Sequence, residues 1–233
     1  MQKRLIDMSY LYKYNLGNKM ENLIRILLCS VFLVWSVNSK AEMSFGVGVI
    51  AGQLSTTGSE KEGTATDTST RSSSFDEVFV GADIFAEYIS DGGYTLGISY
   101  VPLDIEIGSG ERTDTTAGAD VASEADTGTR KASADVSDLT TIYTNVPLGA
   151  NGWYGLLGYH FTTIETSETL NASSYPNEDI TGYQIGFGQK AGNVKMELSY
   201  SDFEDISISA SGGNTNSVTA DADVVNFRIS YGF

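Results

Sequence analysis

Residues 225–233 read VNFRISYGF. Val225, Phe227, Ile229, Tyr231 and Phe233 take every second position, and Asn226, Arg228, Ser230 and Gly232 fill the places between. Successive side chains of a strand point to opposite faces, so this stretch is a strand with one apolar and one polar side. A helix, with its period of 3.6, would scatter the same apolar residues around its circumference.

Working back from this stretch, seven further segments repeat the pattern. Met43, Phe45, Val47 and Val49 share a face in the first, and Val78, Val80, Ala82, Ile84, Ala86 and Tyr88 in the second. The third sets Leu96, Ile98 and Tyr100 against Thr95, Gly97 and Ser99. The fourth, about 136–148, carries apolar residues on both sides. The fifth places Trp153, Leu157, Tyr159 and Phe161 together. Tyr183, Ile185 and Phe187 mark the sixth, and Val194, Met196, Leu198 and Tyr200 the seventh.

Alternation alone also fits a soluble sandwich, and the connections separate the two folds. Residues 90–93, 149–152 and 190–193 (SDGG, GANG, KAGN) are tight turns. Between them lie longer polar connections, roughly 53–75, 108–135, 165–179 and 211–217. Short turns at one end and long loops at the other are the order of an up-and-down transmembrane barrel, whereas Greek-key crossings give no such order. The expected fold is therefore all-β: an antiparallel up-and-down transmembrane β-barrel of about eight strands.

Pairing Leu148 with Trp153 across the second turn sets Val146 against Gly155, Thr144 against Leu157 and Ile142 against Tyr159, which turns Tyr143 inward. Pro102 and Pro147 donate no ladder hydrogen bond, so a bulge or strand end is expected at each. Tyr88, Tyr94, Trp153 and Phe233 sit at the turn end, as one aromatic girdle would. Tyr100 and Phe161 lie further up the strands, as the second would.

The leader points the same way. Residues 23–37, LIRILLCSVFLVWSV, are too short for a membrane helix, and Ser39-Lys40-Ala41 fits a signal-peptidase site. The expected division is a helical signal peptide with an N-terminal extension over 1–41, started at Met1 or Met20, and a barrel over 42–233. Cys29, the chain's one cysteine, falls in the leader, so no disulfide or cysteine metal site is expected in the barrel. Residues 42–233 hold 8 basic and 28 acidic side chains, a net −20. That excludes nucleic acid as a partner, because phosphates need the opposite sign.

The terminal pattern Phe227-x-Ile229-x-Tyr231-x-Phe233 resembles the C-terminal signature of bacterial outer-membrane barrels. With the leader and the eight segments, the chain resembles the small OmpA/OmpX-like barrel group. The resemblance implies location in the outer membrane of a Gram-negative cell, contact with its lipid, and recognition of Phe227, Ile229, Tyr231 and Phe233 by the barrel-assembly machinery. No periplasmic cell-wall-binding domain is expected after the last strand. The turns and both termini would face the periplasm.

The inward face is expected to be polar and small. Asp83, Glu87, Lys195, Glu197 and Arg228 project there, and Glu197 and Arg228 fall at similar depth on adjacent strands and should pair. His160, the one histidine, also faces inward and is read as a hydrogen-bonded lining residue. With no catalytic set in view, no enzyme, metal site or cofactor is expected. The long loops are read as flexible acidic surface segments, open to an unidentified extracellular ligand. Leu103, Ile105 and Ile107, and likewise Ile206 and Ile208, alternate with polar residues and suggest that strands three and seven project beyond the membrane. The expected role is envelope structure or surface interaction, the alternative a narrow porin-like channel or a carrier of small solutes.

Overall fold

A computed structural model describes residues 42–64, 67–114, 128–169, 173–212 and 217–233. The expected leader and its cleavage site lie outside these, as do the tips of the four long connections. Glu42–Phe233 form one compact unit. In chain order its strands are β1 (Glu42–Thr64), β2 (Asp67–Ile89), β3 (Thr95–Tyr100), β4 (Ile105–Asp114), β5 (Gly128–Pro147), β6 (Trp153–Glu168), β7 (Ser173–Ser174), β8 (Glu178–Ala191), β9 (Val194–Phe203), β10 (Ile206–Ser209), β11 (Ser211–Gly212) and β12 (Ser217–Gly232).

Eight of them form the ring β1-β2-β3-β5-β6-β8-β9-β12, and β12 pairs back on β1 to close it. Every pairing in the ring is antiparallel. Along its paired stretches, closure gives the backbone donors and acceptors partners around the ring, which hydrocarbon demands. The register across the second tight turn is the one the alternation dictates: Val146 opposes Gly155, Thr144 opposes Leu157, and Ile142 opposes Tyr159. The Leu148 amide donates to the Trp153 carbonyl at 2.7 Å. At the first turn the Gly93 amide donates to the Ser90 carbonyl at 2.8 Å, with Gly93 at a φ of 79° that other residues rarely adopt. Both prolines stand where strands stop. β5 ends at Pro147, and Pro102 lies in the break between β3 and β4.

The apolar faces look outward. Phe45, Val80, Ile185, Phe227 and Ile229 are exposed, as are their alternate neighbours, while Asp83, Glu87 and Glu197 are buried inside. A soluble protein reverses this arrangement. A continuous exposed apolar belt around a polar-floored ring is the surface of a transmembrane barrel. Above the belt the outward positions turn acidic: Asp138 and Asp202 are exposed and Asp223 is half-buried.

Three expectations need correction. First, the long connections are largely strand. The β1–β2 ladder runs unbroken to Thr64 opposite Asp67, β4 and β5 pair to Asp114 opposite Gly128, and β6 reaches Glu168. Low hydrophobicity there did not mean loop, because Thr and Ser pair well across strands once a hairpin is started. Second, the interior is not polar throughout. Leu54, Ile107, Ile164, Ile180, Ile206, Ile208, Ala222 and Val224 form a buried apolar cluster inside the ring. Ile107, Ile206 and Ile208 are thus lumen residues. Third, Tyr159 shares the outward parity but is buried, covered by Phe161 and Tyr183 at ring-centroid distances of 4.9 and 5.3 Å.

Candidate functional site

The lumen is built in three storeys, each set by which residues the pleat turns inward. The lowest is charged. Asp83 and Glu87 come from β2, Lys195 and Glu197 from β9 and Arg228 from β12, and all five are buried. Arg228 opposes Glu197 in the β9–β12 register. Its Nη1 donates to Glu197 Oε2 at 2.6 Å, and its Nη2 to Asp83 Oδ2 at 2.7 Å. Its Nε donates to both Asp83 oxygens at 3.1 Å. Lys195 Nζ pairs with Glu87 Oε1. One guanidinium therefore spans two carboxylates through all three nitrogens of its planar fork, a geometry that an ammonium's single nitrogen does not offer.

Three aromatic residues complete this layer. Tyr143 donates its hydroxyl to Glu87 at 2.8 Å, and Tyr154 donates to Glu197 at 3.0 Å. The Phe85 ring lies 4.7 Å from Arg228 Cζ and 5.4 Å from Lys195 Nζ, measured to its centroid, so its negative face meets both cations. The tyrosine rings lie over glycines of neighbouring strands. A Cβ on Gly97 would stand 2.3 Å from Tyr143 Cζ, and one on Gly188 would stand 2.6 Å from Tyr154 Cζ. Tyr143 was placed inward by register. Phe85 and Tyr154 were legible by the same parity, Phe85 between Asp83 and Glu87 and Tyr154 beside outward Trp153.

The middle storey is neutral and hydrogen-bonded. Gln184 Nε2 donates to Ser199 Oγ at 2.9 Å, and Ser199 donates to Asn226 Oδ1 at 2.8 Å. His160 is buried with Thr141 Oγ1 2.7 Å from Nδ1 and Ser201 Oγ 2.9 Å from Nε2, and it stacks on Phe203 at 5.2 Å. A hydroxyl beside a histidine invites comparison with a nucleophile–base pair. The third member here is Thr141, not a carboxylate, so nothing in the trio stabilises the imidazolium such chemistry creates. Among the described residues no cluster of three or more His, Cys, Asp or Glu is placed to hold a metal ion.

The upper storey is the apolar cluster. A cavity of about 90 Å³ extends from it through the middle storey to Asp83, Glu197 and Arg228 of the charged layer. Leu54, Ile107, Ile164, Ile180 and Val224 contribute apolar walls, and Asn226, Ser199 and Arg228 lie toward its floor.

The C-terminal residues bind the turn end of the ring together. The Phe233 amide donates to the Phe45 carbonyl at 2.8 Å, the Gly232 amide to Asn193 at 2.9 Å, and Phe233 packs on Tyr231. Phe227, Ile229 and Tyr231 point outward into the apolar belt.

No family model matches the chain, and no curated protein matches it. Solved structures of outer-membrane proteins do. Neisserial surface protein A matches with 14% identity over 81% of this chain and 98% of that one, at a TM-score of 0.38. The attachment invasion locus protein Ail of Yersinia pestis matches with 12% identity over 78% and 98%, at 0.34. Outer membrane protein AlkL matches with 10% identity over 81% and 90%, at 0.44. The barrel is established by its own pairing: a closed antiparallel ring, apolar toward lipid and charged within, is an outer-membrane β-barrel protein.

Proposed function

We propose that this protein is an outer-membrane barrel sealed across its lower lumen, serving envelope structure or surface interaction through its acidic outer end. The observation that carries the reading is the layer of five buried charges. Arg228 bridges Asp83 and Glu197, Lys195 holds Glu87, and Phe85, Tyr143 and Tyr154 close around them. An eight-stranded ring is just wide enough for its own side chains to fill, and here they form a cross-braced floor. His160 belongs to this filling as a lining residue, and the protein acts without catalysis.

Planar-bilayer recording tests the seal. The reconstituted protein is expected to show no large, steady openings, and Arg228→Ala with Lys195→Ala is expected to introduce them. Stable conductance of the unaltered protein would sink the sealed reading and support a narrow porin-like channel instead.

Phe227, Ile229, Tyr231 and Phe233 serve as the signal read by the barrel-assembly machinery, with turns and termini in the periplasm. Their outward, lipid-side position on the closing strand suits a segment that docks before the ring is complete. Deleting Phe233 should lower the amount inserted in cells while leaving refolding into detergent largely intact. Equal insertion of both forms in cells removes that role. The other reading, a carrier of small solutes, is favoured by one observation: the cavity above the floor.

A further inference from the structure

The wall beside that cavity is incomplete. β2 keeps its ladder with β1 along its whole length, but it pairs with β3 only between Ile84–Ile89 and Thr95–Tyr100. Above Val101, whose amide still donates to the Leu139 carbonyl of β5 at 2.9 Å, the chain leaves the sheet through residues 102–104, and β4 then pairs with β5. Among the described residues no ladder joins β2 above Ile84 to β4. Val78 and Val80, on this part of β2, are exposed apolar residues, so the lower end of the gap meets the upper rim of the lipid-facing belt. The Ile105 side chain stands in it, its Cδ1 3.9 Å from where a Cβ on Gly81 would be. Phe79 and Asp83 of β2 and Ile105 and Ile107 of β4 flank the gap, and all four line the cavity.

We propose that the upper lumen binds a small uncharged amphiphile, such as a medium-chain alcohol, which enters from the bilayer between β2 and β4 past Ile105. Chemistry and size both select this class. The apolar walls suit an alkyl segment, and a pocket with apolar walls and a few convergent polar groups is the usual form of a small-molecule site. Asn226 spends its carbonyl on Ser199, and its amide donors remain for a hydroxyl. A carboxylate head is disfavoured, because Asp83, Glu87 and Glu197 outnumber Lys195 and Arg228. At about 90 Å³ the cavity is smaller than the ~150 Å³ that holds benzene in an engineered core, so it takes a short alkyl segment with the remainder of the chain in the wall opening. The inference goes beyond the sealed-barrel reading and rests on it only in that the floor stops the ligand from passing through.

The test is methyl NMR of the full barrel in lipid nanodiscs during titration with 1-hexanol. Inward methyls of Ile107, Ile164, Ile180, Ile206 and Ile208 report the site, and outward methyls of Ile98, Ile185 and Ile229 report simple partitioning into lipid. Saturable shifts confined to the inward set are expected. Parallel, unsaturable drift of both sets means lipid partitioning only and overturns the site. Two variants that fill the cavity, Ala222→Leu and Ile164→Phe, should lose the saturable component while keeping the gel shift of a folded barrel. Undiminished binding in both folded variants also overturns it. Linking Gly81→Cys to Ile105→Cys with a short dithiol-reactive spacer should slow hexanol exchange, and unchanged exchange removes the lateral route. Conductance of the same sample keeps the two readings apart. A leaky floor with saturable binding defeats only the seal, and a tight floor without binding defeats only the site.

Discussion

At the residue scale, the lumen is governed by how few partners each buried charge has. Arg228 is the hub: remove it and Asp83 and Glu197, both nearly inaccessible, lose their counter-charge together. Breaking a buried pair by deleting one partner costs on the order of 3–5 kcal/mol, so Arg228→Ala should lower stability by about that much in detergent unfolding. Adding Asp83→Asn and Glu197→Gln should recover part of the loss, since the stranded charges are then gone. A loss that the added changes leave untouched would argue that Arg228 matters through packing alone. Space is as tight as charge. Tyr143 reaches Glu87 only because Gly97 has no side chain beneath the ring. Gly97→Ala should cost about 1–3 kcal/mol through overpacking. In a Tyr143→Ala background the same change should cost much less, a coupling that a double-mutant cycle reads directly.

At the element scale, the hairpins continue past the belt as paired sheet. Ser55 donates to Asp76 at 2.6 Å, and the hydroxyls of Ser59 and Thr219 lie 2.8 Å apart, so the extended β1 is tied to both its neighbours. Backbone amides of residues 54–59 should therefore exchange with solvent slowly, on the scale of ladder amides. Exchange as fast as a free peptide's would show the ladder to be frayed. The same extension lines up acids across three strands: Glu106 opposes Asp135, and Asp135 opposes Glu165. Partial burial, then repulsion from Glu106, Asp104 and Glu165, pushes the Asp135 carboxyl above its usual value. A raised carboxylate pKa means the folded state prefers the protonated form. Its destabilising effect is thus full above the folded pKa and vanishes below the unfolded one, near 4. Asp135→Asn should raise the unfolding temperature at pH 7, and the gain should shrink as pH falls toward 4. A gain independent of pH would remove electrostatics as its cause.

At the scale of the whole barrel, closure makes unfolding cooperative, because opening any seam leaves two rows of backbone groups without partners in lipid. Unboiled protein should migrate apart from boiled protein on a gel, and Arg228→Ala should convert at a lower temperature than the parent. Identical mobility before and after boiling would be incompatible with the ring. Much of that ring was legible along the chain. A strand's side-chain period is two, so VNFRISYGF and its seven counterparts declare their faces locally, glycine-rich turns declare where the chain reverses, and parity places Arg228 and Glu197 inside together. The reach of the hairpins was not legible, because Ser- and Thr-rich segments are sheet or loop according to whether a partner strand lies alongside. Nor was the lumen's division into a charged floor, a hydrogen-bonded middle and an apolar top. Parity assigns a side but no neighbour. Thus Ile107 on β4, Ile164 on β6, Ile208 on β10 and Leu54 on β1 become one cluster only when the ring brings distant strands around a common axis. The sequence by itself determined which way each side chain faces. Only the tertiary structure decided what it meets there, because facing is a property of the local backbone and meeting is a property of closure.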